Sequence, residues 1–117
     1  MQHIVQLFQQ FDVSIISAYN ARFDKFHLPE LSKFKWFDIM KLAAYKQHNK
    51  FIPEGIEIYA NSGRIKKGFG VEPVYRMVTG RIEYKEKHNG YHDALDELVI
   101  MQQLGLPFED YLNIGSI

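Results

Sequence analysis

The run Val13-Ser14-Ile15-Ile16-Ser17-Ala18, bounded by Asp12 and Asn20, is short and rich in β-branched residues. It reads as a buried strand of the kind found inside a mixed or parallel sheet. Helical periodicity surrounds it. Ile4, Val5, Leu7, Phe8 and Phe11 fall at helical spacing among glutamines, which predicts an amphipathic helix over 1–11. Residues 26–34 read as helix plus loop, broken at Pro29. Trp36-Phe37-Asp38-Ile39 reads as a second short strand that runs into a helix over 40–48 through Leu42, Ala43 and Tyr45. A strand, a helical connection and a second strand make an α/β chain. Two strands are few for a self-sufficient sheet.

The pattern weakens over 49–70, where Pro53, Gly55, Gly63, Gly68 and Gly70 punctuate a short helix or strand expected at 56–59. Gly68-Phe69-Gly70 lacks a third glycine and a preceding strong strand, so it does not make a phosphate-cradling loop. Residues 71–79 read as a helix closed by Gly80. A charged linker over 81–87 leads to a longer helix that Gly105 and Pro107 end, and 108–112 predicts a last helical turn.

In this longer helix Tyr91, Ala94, Leu95, Leu98, Val99, Met101 and Leu104 recur at near-helical spacing. They define a face expected to be buried, with Asp93, Asp96 and Glu97 on the solvated side. Acids in the first turns suit the positive end of the helix dipole and offer hard oxygen ligands to a divalent cation. The segment 19–24 leaves the first strand at its carboxyl end, where open α/β sheets place their ligand sites.

Composition narrows the options. At 117 residues the chain is expected to be one domain spanning 1–117, and 46% hydrophobic residues make it globular rather than disordered. The formal net charge is zero, so no global basic field points to nucleic acid, although Lys33, Lys35, Arg64, Lys66, Lys67, Arg76, Arg81, Lys85 and Lys87 make a mostly cationic middle. Absence of cysteine excludes disulfides and thiolate metal sites and predicts a cytoplasmic address. No secretion signal and no apolar run of membrane-spanning length is seen.

Two short motifs then come together: Ala18-Tyr19-Asn20-Ala21-Arg22-Phe23-Asp24, and His88-x-Gly90-x-x-Asp93-Ala94. Together they resemble the second and third motifs of the DEDDh family of 3′–5′ exonucleases, which have the ribonuclease H-like fold. The segment 36–43 is similar to that family's intervening strand and helix, and Glu72-Pro73-Val74-Tyr75-Arg76 with Gly80 to its connecting helix. The resemblance covers about 13–104. It implies phosphodiester hydrolysis at a nucleic-acid 3′ end, DNA before RNA, with Mg2+ or Mn2+. Asp24 and Asp93 would be metal ligands and His88 the general base. Asn20 and Phe23 would shape the turn and the terminal-nucleotide pocket, Phe23 as a stacking surface. A second register, His92 with Glu97, also begins like the third motif. The His88 register is preferred because Gly90, Asp93 and Ala94 then fall where the family has them.

The family's first strand carries Asp-x-Glu, and this chain contains no Asp-x-Glu. The resemblance therefore implies a truncated ribonuclease H-like domain, a small sheet with flanking helices, that lacks the first acidic motif. A second chain or a homodimer would complete the sheet. The alternative is a non-catalytic interaction module derived from an exonuclease, binding a protein partner or nucleic acid. No membrane partner is expected.

Overall fold

The computed structural model describes residues 14–55 and 57–117. The helix expected over 1–11, Val13 at the head of the first strand and Ile56 lie outside these described residues. Strand β1 (Ile15–Ala18) pairs in parallel with β2 (Lys35–Asp38), in the register Ile15↔Lys35 to Ala18↔Asp38. Between them the chain crosses over through helix α1 (Ala21–His27) and a 3-10 turn (Pro29–Leu31). Proline at the first position of that turn needs no amide donor there, so the break expected at Pro29 becomes a change of helix type.

Helix α2 (Met40–Ala43) is shorter than the sequence pattern predicts. Asn49, 1% exposed, explains the stop: its Nδ2 donates to the Ala43 carbonyl at 2.7 Å, and its Oδ1 accepts from the Phe51 amide at 2.9 Å. The side chain thus takes up the Ala43 carbonyl, which a helix continuing to 48 would have paired internally. Helix α3 (Val71–Thr79) ends on Gly80 in the left-handed region at φ 74°, as its sequence requires. Helix α4 (Gly90–Leu104) starts on Asn89, whose side chain accepts from the His92 amide at 2.9 Å. Helix α5 (Phe108–Ile114) closes the order. Among the described residues this is a small α/β domain of five helices and a two-stranded parallel sheet.

The alternation of β2 divides the core. Trp36 packs with Ala18, Ala21 and Leu31, and its indole N–H donates to the Leu31 carbonyl at 2.9 Å. Phe37 joins the larger cluster of Tyr19, Ile39, Leu42, Val74, Val78, Ile100, Leu104 and Tyr111. The chain's last residues run beside β2: the Asp38 amide donates to the Gly115 carbonyl at 2.8 Å, and Phe37 bridges Ser116. A Cβ at Gly115 would stand 2.6 Å from the Tyr111 carbonyl oxygen and 3.0 Å from that of Asp38, so only glycine fits there.

The linker over 81–87 is a strap on α3. Arg76 pairs with Glu72, and its Nε donates to the Tyr84 carbonyl at 2.7 Å. The Glu86 amide reaches Glu72 Oε2 at 3.1 Å, and the Tyr84 ring stacks on Tyr75 at 4.0 Å between centroids. Among the described residues no helix is long and apolar enough to cross a membrane.

Candidate functional site

Helix α4 corrects the sequence expectation of a solvated acidic face. Asp96 is buried at 5% exposure, whereas Tyr91, Leu95 and Leu98 are 71%, 41% and 49% exposed. The residues this helix buries are Asp96, Ile100 and Leu104, spaced by four, so the inward stripe begins with an acid. Apolar periodicity alone could not find this, because two candidate stripes overlap and the more hydrophobic one turns outward. Asp96 is tolerated inside because the Tyr84 hydroxyl, delivered by the strap, donates to Oδ1 at 2.5 Å; Oδ2 has no partner among the described residues. This hydrogen bond pushes the Tyr84 phenol up to about 12.

One step round the helix, Glu97 Oε1 accepts the backbone amide of Tyr19 at 2.9 Å. Tyr19 is the first residue beyond β1, so an acid of α4 is bonded to the strand's carboxyl end. Burial raises the Glu97 carboxyl above its ordinary value; the Tyr19 amide opposes this, and Asp24, Asp93 and Asp96 add to it. Asp93 lies one turn earlier on the same face, and its Oδ1 is buried without a partner among the described residues.

Asp38, the last residue of β2, is 3% exposed and organises the exits of both strands. Its Oδ1 accepts from the Asn20 amide at 2.8 Å and the Met40 amide at 2.9 Å. The first bond fixes the turn out of β1, and the second starts α2. Burial raises its carboxyl, while the amides of Met40, Ala21 and Asn20, and the charge of Lys41, pull it back. Asn20 sits in the left-handed region at φ 60°, ψ 51°, which asparagine tolerates better than most residues. That conformation turns the chain sharply into α1 and brings Asp24, half-buried, towards Asp38. Burial and then Asp38 raise the Asp24 carboxyl, with His27 acting the other way.

Of the residues expected from sequence, Asp24 and Asp93 thus share an electrostatic neighbourhood with Glu97. Asn20 shapes the turn through its backbone. Phe23 is 60% exposed, its ring 4.3 Å from that of His27. His88 is exposed, with φ 56°, and has no hydrogen bond or ion pair among the described residues. His92 is held in the first turn of α4, its Nδ1 2.9 Å from Asn89 Oδ1. Asp38 and Glu97 were not among the candidate site residues. The signals for them were an acid closing a strand before a helix, and the second register, in which Glu97 follows His92 by five.

Carboxylates whose charges oppose one another suit a hard divalent cation, and the orphaned Asp93 oxygen adds a donor. Among the described residues, however, no three such side chains gather closely enough to hold a metal ion. No protein-family model, curated protein or solved structure matches the chain.

Proposed function

We propose that the chain carries part of a metal-dependent 3′–5′ exonuclease centre of the DEDDh type, on a ribonuclease H-like sheet, acting at the 3′ end of a nucleic acid. The observation that supports this reading is the inward turn of the acids of α4 towards the carboxyl end of β1, where Glu97 meets Tyr19 and faces the charge of Asp24. Hydrophobic burial alone would have turned Leu95 and Leu98 inward instead. Buried acids that raise one another are a mark of functional sites.

Asp24, Asp93 and Glu97 do not gather closely enough to hold an ion by themselves; in this proposal each would contribute a carboxylate to Mg2+ or Mn2+ only where ligands from outside the described residues and the substrate phosphate complete the site. Such cations, when bound, stabilise the attacking and leaving oxygens of phosphodiester hydrolysis. Asp38 positions the turn that carries Asp24. A histidine, His88 or His92, takes the proton from the attacking water.

The test is degradation of a 5′-labelled oligonucleotide, as DNA and as RNA, by the wild-type chain and Asp24→Asn in Mn2+. The reading expects a ladder shortening from the 3′ end that EDTA and the substitution both abolish. Equal degradation by the two proteins, or none by either, would contradict it.

A second reading, an interaction module without catalysis, is favoured by one observation: Tyr91, Leu95 and Leu98 form an exposed apolar stripe along α4. It expects Leu95→Lys with Leu98→Lys to change the oligomeric state in sedimentation.

A further inference from the structure

A cavity of about 560 Å3 opens at the carboxyl ends of β1 and β2, lined by Asn20, Arg22, Lys25, Asp38, Lys41 and Tyr45 among others. Three of its side chains are cationic and one is acidic. Asp38 Oδ1 is already bonded to two backbone amides, and Lys41 Nζ donates to the Ser116 carbonyl at 2.9 Å. Arg22 and Lys25 have no ion pair among the described residues. In a chain of zero formal net charge, this is a local excess of positive charge in a concave site, where low-dielectric walls strengthen its field.

Arg22 and Lys25 stand three residues apart on α1 and so reach one side of the helix. Beside them α1 exposes Phe23 (60%) and Phe26 (80%), both in contact with the His27 ring, at 4.3 and 5.3 Å between centroids. Neither phenylalanine lines the cavity. A free mononucleotide or inorganic phosphate would occupy the cationic cavity and leave these rings in water. A single strand extends past the cavity and meets both features, phosphates on cations and bases on aromatic faces.

Resting on the nuclease reading above, we propose that the Arg22–Lys25–Lys41 cleft holds a backbone phosphate of single-stranded nucleic acid while an adjacent base stacks on Phe26 and Phe23. The arrangement is sequence-tolerant, because every base has a π-face and every phosphate the same charge.

The test is fluorescence anisotropy with a 5′-fluorescein-labelled single-stranded 12-mer in EDTA, where binding is read without cleavage. It compares the wild type, Arg22→Gln/Lys25→Gln and Phe26→Ala, with folding of each checked by circular dichroism. The double variant is expected to bind at least tenfold more weakly, with its salt slope reduced by about 0.7, the contribution of one neutralised phosphate on a single strand. Phe26→Ala is expected to lose about fivefold or more. Inorganic phosphate at matched ionic strength should not displace the strand. No binding by the wild type, unchanged affinity in either variant, or displacement by phosphate alone overturns the proposal. Binding that depends on these residues, with no metal-dependent degradation, upholds the cleft and overturns the exonuclease reading instead. Degradation by the wild type with unchanged affinity in the variants does the reverse.

Discussion

The backbone amide of Tyr19 donates to the carboxylate of Glu97 at 2.9 Å across 78 residues of sequence. This bond ties the exit of β1 to the third turn of α4. Glu97→Ala leaves a part-buried amide without its acceptor and should cost about 1–3 kcal/mol in urea denaturation. Glu97→Gln keeps a carbonyl oxygen for the same amide, so the loss expected for Glu97→Ala should not appear.

The same acids predict how stability depends on pH. Asp24, Asp38 and Glu97 have folded carboxyls raised above their ordinary values, so between the unfolded and folded values the native state binds more protons than the unfolded one. Stability contributed by these groups is therefore highest below the ordinary carboxylate value, about 4, and declines as pH rises through the raised values. Glu97→Gln should raise the neutral-pH Tm relative to wild type, and the difference should shrink towards pH 4. A thermal-denaturation series across that range checks the sign.

Two tyrosines should behave oppositely when their hydroxyls are removed. Tyr84 donates to Asp96 at 2.5 Å, so Tyr84→Phe strips a buried carboxylate of that donor and should destabilise by about 1–3 kcal/mol. The Tyr111 hydroxyl is buried without a partner among the described residues, and burial lifts its phenol to about 12. Tyr111→Phe should be neutral or stabilising. Chemical denaturation of the two variants side by side reads the contrast.

Gly115→Ala places a methyl group 2.6 Å from the Tyr111 carbonyl oxygen, which is backbone and cannot swing away. The expected loss is about 1–3 kcal/mol, as for other overpacking changes. Because Gly115 also holds the Asp38 amide, backbone resonances of Asn20 and Met40 should shift with it, as NMR of the variant would record.

Much of the frame was legible because local chemistry dictated it. Gly80 and Gly105 end their helices in the left-handed region, as their positions after the last apolar residues predict. The two parallel strands follow from Ile15-Ile16 and Trp36-Phe37. The orientation of α4 was not legible, since it depends on Tyr84 and Tyr19, partners distant in sequence that make buried acids affordable. Asp38 likewise looked like the end of a strand, because its role lies in two backbone amides that only the folded turn brings to it. The shortening of α2 came from Asn49, whose side chain competes for backbone groups beyond the reach of periodicity.

The central proposal is that Asp24, Asp93 and Glu97 contribute ligands to a divalent-cation site that further groups complete. The most direct measurement is Mn2+ binding by electron paramagnetic resonance of the free ion, with Tm recorded in parallel, for the wild type, Asp24→Asn and Glu97→Gln. The account predicts that the wild type depletes free Mn2+ and gains Tm with it, and that both variants lose most of that binding while remaining folded. Equal binding by all three proteins, or no binding by the wild type, would contradict it.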